Sequence, residues 1–148
     1  MQQVMTGGCQ CGQVRYEARI TDDDAYLCHC RMCQRATGGV SIAFKSIAKA
    51  DLRWTTRQPD RFRSSPFAAR GFCSACGTPL TYEGDDHDQL DLTVGSFDEP
   101  WQFRPTSHAG VESWHPEWLD TRALPTQRTD QNRRIADQWI ETRGSIPD

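Results

Sequence analysis

No run of about twenty apolar residues, the length a membrane-spanning helix needs, occurs anywhere in the 148 residues. Basic charge is not in excess either: 17 Lys and Arg stand against 20 Asp and Glu, a formal net charge of -3. A nucleic-acid-binding domain needs a positive surface, so neither nucleic acid nor membrane is an expected partner. Hydrophobic residues are sparse at 36%. One domain of this length can bury a core, but here a modest one, helped by five Trp and six Phe whose rings remove large areas from water. Residues Met1 to Cys11 carry neither the charged n-region nor the apolar h-region of a secretory signal. The expectation is a cytoplasmic protein. Internal repeats and low-complexity tracts are missing as well.

Cysteine is the residue in surplus, with seven in the chain. In a reducing compartment grouped cysteines serve as metal ligands more readily than as disulfides. They fall into three groups: the pair Cys9 and Cys11, the triplet Cys28, Cys30 and Cys33, and the knuckle Cys73 and Cys76. Gly8, Gly12 and Gly77 stand where tight chelating turns need a permissive backbone. Zinc takes four thiolate or imidazole ligands in a structural site, and three with an open position in a reactive one. One partition joins Cys9, Cys11, Cys73 and Cys76 in a four-sulfur site and leaves Cys28, Cys30 and Cys33 as a three-ligand site. Its rival joins Cys30 and Cys33 with Cys73 and Cys76 and strands three thiols. The first leaves no lone thiol and is preferred. His108 or His115 as a fourth ligand would close the triplet site and make it structural too. In an extended segment the His29 side chain points away from those of Cys28 and Cys30.

Hydrophobic periodicity places these groups on a mainly β scaffold. Val14, Tyr16, Ala18 and Ile20 alternate with charged residues, as a half-buried strand requires. Val40, Ile42 and Phe44 repeat the pattern, as do Leu90, Leu92 and Val94. Weaker candidates cover residues 52–56, 61–65, 69–72 and 80–82. Many short strands without intervening helical periods predict an antiparallel all-β core. Residues 101–125 lack a clean period and are expected to form a loop-rich wrap, with Trp101, Phe103, Trp114 and Trp118 covering the core and a helical turn at 117–120. A helix is predicted after Asp130 as cap, with Ile135, Trp139 and Ile140 on one apolar face and Gly144 at its end. That face would dock on the sheet or form a homodimer contact. The expected organisation is a metal-binding domain over 1–125 and a helical extension of it over 126–148.

Gly7-Gly8-Cys9-Gln10-Cys11-Gly12, then Cys28-His29-Cys30-x-x-Cys33-Gln34-Arg35-x-Thr37-Gly38, then Phe72-Cys73-x-x-Cys76-Gly77-Thr78 resembles the glutathione-dependent formaldehyde-activating enzyme family, which includes the centromere protein V type domains. The resemblance covers roughly residues 5–120. It implies a short-strand, mostly β fold shared with a zinc-binding Rab exchange factor, structural zinc on Cys9, Cys11, Cys73 and Cys76, and catalytic zinc on Cys28, Cys30 and Cys33. It further implies a carbon–sulfur lyase that forms or breaks a thiol–aldehyde adduct, glutathione and formaldehyde being the namesake substrates.

Three thiolates on a divalent zinc leave a net negative site, a softened Lewis acid suited to a fourth thiolate. Glutathione brings carboxylates that need cations. Arg35 stands inside the triplet motif and is the candidate for that pairing. Arg31, Lys45, Lys49 and Arg70 are read as ordinary solvated charges, as are the clusters Asp22 to Asp24 and Asp85 to Asp88. The rival to the enzyme reading is a zinc-stabilised glutathione carrier or protein-binding module without turnover.

Overall fold

The computed structural model describes residues 2–147. Its backbone divides into two compact units, Met1–His115 and Pro116–Asp148. Among the described residues of the first unit, the strands form a three-stranded and a seven-stranded sheet.

The smaller sheet has the order β1 (Gln3–Gly8), β2 (Arg15–Ile20), β5 (Leu52–Trp54), all antiparallel. In β2 the alternation holds: Tyr16, Ala18 and Ile20 are buried while Arg15, Glu17 and Arg19 are not. The larger sheet contains β3 (Asp24–Cys28), β4 (Ile42–Ala48), β6 (Asp60–Ser65), β7 (Ala68–Phe72), β8 (Pro79–Gly84), β9 (Gln89–Thr93) and β10 (Arg104–Ala109). They run in the spatial order β10-β3-β4-β9-β8-β7-β6. One core cluster joins both sheets, with Met5, Tyr16 and Ile20 from the first and Ile47, Leu80 and Leu92 from the second. A separate cluster forms around Cys28, Cys33 and Phe44, with Tyr26, Ile42, Tyr82 and Ala109 packed against it.

The mainly β prediction stands, with local corrections. Residues 104–109, read as loop, form β10, which pairs with β3 in parallel. Its side chains are mostly exposed, so no apolar alternation betrays the strand; the pairing with β3 creates it. A helix not foreseen, α1 (Arg31–Thr37), follows the third strand. With seven residues it is too short to show a helical period. Its N-cap is Cys30, whose sulfur accepts from the Cys33 N–H, and its C-cap is Gly38 in the left-handed region. Trp101 and Trp118 are exposed at 73% and 61%, so of the four expected covering rings only Phe103 belongs to the buried core.

In the second unit a 3-10 turn spans Pro116–Trp118 and a second helix, α2, spans Arg133–Arg143. Asn132, not Asp130, caps α2, its side chain accepting from the Ile135 N–H, while Gly144 ends the helix as predicted. The cap shifted because Asp130 lies within a separate 3-10 turn, Thr129–Gln131. Among the described residues no helix is long and apolar enough to cross a membrane.

Candidate functional site

Two groups of sulfurs come together, divided along the preferred partition. Cys9, Cys11, Cys73 and Cys76 place their sulfurs within 4.8 Å of one another, and so do Cys28, Cys30 and Cys33. Each group could hold a metal ion.

The four-sulfur group is built from two turns at strand ends. After β1 the chain reverses through a tight loop in which the Cys9 N–H donates to the Val14 carbonyl at 2.9 Å, and the Val14 N–H donates back to the Cys9 sulfur. After β7 the knuckle closes with the Gly77 N–H donating to the Cys73 carbonyl at 2.7 Å. Gly12 and Gly77 both take positive φ, which the two turns require. The Cys9 and Cys11 sulfurs are 3.5 Å apart, and those of Cys11 and Cys73 are 3.8 Å apart. A tetrahedral zinc with Zn–S of about 2.3 Å sets its sulfurs about 3.8 Å apart, so the donor set and its spacing fit that ion. They do not fit disulfides, whose sulfurs sit about 2.05 Å apart, and all seven cysteines are free. The Thr78 hydroxyl, followed by backbone N–H groups, holds the Cys76 thiol down to about 5.

The three-sulfur group is positioned differently. Cys28 ends β3, Cys30 caps α1 and Cys33 lies in its first turn. Burial opposes ionisation of Cys30, but hydrogen bonds from the Cys33 N–H and the neighbouring thiols outweigh it and lower its pKa. Burial pushes the Cys33 thiol up to about 12, against the pull of the Arg70 guanidinium. That guanidinium donates to the Cys33 sulfur at 3.3 Å and lies 5.0 Å from the centre of the Tyr82 ring.

The three thiols open on a cavity of about 230 Å³ walled by Tyr26, Phe44, Phe67, Tyr82 and Met32. Past Met32, Phe44 and Arg70 lies a larger cleft of about 430 Å³, bordered by Phe62, Phe72 and Pro79 and by Arg35 from α1. Arg35 is exposed on the last turn of that helix.

Histidine does not join either group. His29 is fully buried, with Nδ1 on the Ser41 hydroxyl at 2.7 Å and Nε2 on His108 Nδ1 at 2.8 Å. Trp114 stacks on both imidazoles, at centroid distances of 5.3 and 4.6 Å. His29 therefore points away from the thiols, as the extended-segment argument required. Its backbone N–H donates to the Ala109 carbonyl at 2.9 Å, which locks the Cys28 to Cys30 segment to β10. His108 and His115 fall outside both groups, so among the described residues the triplet has no fourth candidate ligand.

Arg70 corrects the solvated reading given to the arginines. It is buried, at 9% exposure, and touches a cysteine of the triplet. A lone charge inside Ala68-Ala69-Arg70-Gly71, a run of small buried-type residues, was the available signal. Lys45 is buried too, but it is committed to Asp22 and to the Asp24 carbonyl, so Asp22 is an ion-pair partner and not a merely solvated charge. Lys49 pairs with Glu83. Tyr26, Phe44 and Tyr82 were not singled out as site walls, because aromatic residues on strands read as ordinary core.

A model of the glutathione-dependent formaldehyde-activating enzyme family matches residues 4–113. A Schizosaccharomyces pombe protein named an uncharacterized lyase is 30% identical over 76 residues, 51% of this chain and 55% of the relative, so the chain spans about half that relative's length. A solved Rhodobacter sphaeroides protein shares the fold, with a TM-score of 0.59 and 21% identity over 71% of this chain and 100% of the other. The matched segment contains both sulfur groups, and the chain belongs to the glutathione-dependent formaldehyde-activating enzyme family.

Proposed function

We propose that this chain is a zinc-dependent carbon–sulfur lyase that forms or breaks a thiol–aldehyde adduct at Cys28, Cys30 and Cys33, with Cys9, Cys11, Cys73 and Cys76 as a structural centre. The observation that carries this reading is the pairing of a three-thiol group, lacking a fourth ligand among the described residues, with a cavity that opens directly on it. The four-sulfur group, by contrast, lies on two strand-end turns and has its full tetrahedral set. Family membership supports the same reaction class, glutathione and formaldehyde being the family's named substrates.

Zinc on three thiolates would supply an open, soft coordination position for a substrate sulfur. The remaining work falls to the chain's own residues. In the forward direction the thiol gives up its proton, a sulfur–carbon bond forms at the carbonyl carbon, the carbonyl pair moves to oxygen, and that oxygen takes up a proton. None is gained or lost overall, and the reverse steps release thiol and aldehyde. Arg70 offsets the negative charge that gathers when a substrate thiolate joins three cysteine thiolates, and its hydrogen bond fixes the Cys33 sulfur. Phe44, Phe67 and Tyr82 keep the cavity apolar, which strengthens the guanidinium's effect there. Tyr26 is unsuited to protonate the adduct oxygen. Its hydroxyl donates to Asp91 at 2.9 Å, and burial, reinforced by that carboxylate, raises its pKa.

The test compares wild type with Cys30→Ser for zinc content and for exchange of the formaldehyde–glutathione adduct, followed by NMR. Two zincs falling to one, with accelerated exchange only in the wild type, is the expected result. Zinc loss with no difference in exchange would leave a carrier without turnover and remove the enzyme reading.

A further inference from the structure

The two connected cavities have a composition that glutathione does not match. Glutathione carries two carboxylates, an α-ammonium group and two peptide units. A site that holds it needs anionic or carbonyl acceptors for the ammonium as well as cations for the carboxylates. Neither cavity has an Asp or Glu in its lining. Around the thiols the walls are mostly aromatic and thioether, and across the cleft they continue as Phe62, Phe72 and Pro79. The hydroxyls of Thr37, Ser64, Ser65, Thr81 and Thr93 in these linings are each hydrogen-bonded to backbone groups. Two guanidiniums face this apolar space. Arg70 is engaged with Cys33 and Tyr82, which leaves Arg35, exposed at the cleft side of α1 and without a carboxylate partner among the described residues, as the cation available to a ligand.

Accepting the thiol–aldehyde reading above, we infer that the thiol this site takes is a compact apolar one, an aromatic or branched body bearing a single carboxylate, in preference to the zwitterionic tripeptide. The apolar body would fill the space between Met32, Phe44 and Phe62, and the carboxylate would meet Arg35. Burial of a ring there contributes through area removed from water. Arg35 adds a modest term, because an exposed ion pair contributes up to about 1 kcal/mol. Glutathione gains less from such walls, and its ammonium meets no carboxylate among the lining residues.

Cobalt can replace zinc as a spectroscopic probe, since thiolate ligation gives it intense visible bands. The dicobalt protein is titrated with 4-(mercaptomethyl)benzoate, with benzyl mercaptan, and with glutathione. All three are alkyl thiols of comparable acidity, so differences in affinity report body and charge. The benzoate is expected to bind at least about tenfold tighter than glutathione, and about fivefold tighter than benzyl mercaptan. In Arg35→Met, whose exposed position tolerates the change, the benzoate should fall to the benzyl mercaptan level while benzyl mercaptan itself is unmoved. Glutathione binding as tightly as the benzoate, or an unchanged preference in Arg35→Met, overturns the inference and leaves the lyase reading intact. If no thiol perturbs the cobalt bands, the lyase reading itself fails, and the substrate class falls with it.

Discussion

Gly110→Ala should loosen the three-thiol group while sparing the four-thiol one. Gly110 follows β10, at φ 64°, and a Cβ there would sit 2.7 Å from the Cys30 nitrogen and 2.8 Å from its Cβ. Two costs combine. A non-glycine residue in the left-handed region costs about 1 kcal/mol, and forcing a methyl against backbone costs about 1–3 kcal/mol. Neither neighbour can yield cheaply, because Cys30 caps α1 and the adjacent His29 N–H is bonded to Ala109. The relief available is displacement of Cys30 away from Cys28 and Cys33. A cost of about 2 kcal/mol placed on the ligand-bearing segment corresponds to roughly thirtyfold weaker metal binding. The assay is timed release of zinc to a chromogenic chelator, which resolves a labile and a resistant fraction. The variant should accelerate the labile fraction by that order and leave the resistant one at the wild-type rate. Unchanged release of both fractions would refute the steric argument. Equal acceleration of both would show that the strain spreads through the whole unit instead of falling on Cys30.

Cys76→Ser and Cys30→Ser should each lose one zinc but differ in stability. The first should lower Tm far more, because a closed structural site contributes folding free energy directly; equal thermal shifts would contradict the division of roles. Arg70→Met should move alkylation of Cys33 in metal-free protein to higher pH, since Arg70 is the group that opposes the upward push of burial on that thiol; an unmoved profile would show that the 3.3 Å contact carries no charge stabilisation. Asp98→Asn tests an acid-sensitive contact: Arg15, with Thr6 assisting, holds the Asp98 carboxyl below its ordinary value. A carboxyl depressed in the folded state contributes stability above the unfolded value of about 3.9 and loses it as pH falls through the folded one. The wild-type advantage in urea unfolding should therefore be present at pH 6 and shrink on the way to pH 3. With both groups partly exposed, it should not exceed about 1 kcal/mol.

The two sulfur groups were legible because coordination chemistry writes itself locally: CxC, CxxC and CxCxxC put potential ligands within a turn of one another, and four-plus-three was the division that left no thiol unused. The strands with one apolar face were legible for a similar reason, as Tyr16, Ala18 and Ile20 show. What escaped has a nonlocal cause. β10 is mostly exposed and exists through its parallel pairing with β3, so its pattern carries no period. Helix α1 is announced by Cys30 as cap and Gly38 as terminator, but Cys30 had already been assigned to metal binding and seven residues show no period. Arg70 was misjudged because its partners, Cys33 and Tyr82, are distant in sequence on separate elements.

These same nonlocal elements distinguish the three-thiol group from the four-thiol one. The four-sulfur group needs only its two turns: Cys9 to Val14 and Cys73 to Thr78 are closed by their own backbone hydrogen bonds, and bringing them together completes a tetrahedron. The triplet is supported from outside on each side, by β10 through the His29 to Ala109 bond and by β7 through Arg70. A short chelating segment left to itself could recruit a nearby imidazole and close. Here His29 is turned into a chain with Ser41 and His108, which commits both imidazoles to each other. Register adds a second barrier: His108 alternates with Ala109 along β10, and it is Ala109 that packs on the thiol cluster, so in dicobalt His29→Asn the three-thiol group should keep its ligands. Unaltered cobalt bands in that variant are the expected result, and a blue shift toward sulfur–nitrogen ligation would refute the argument from register.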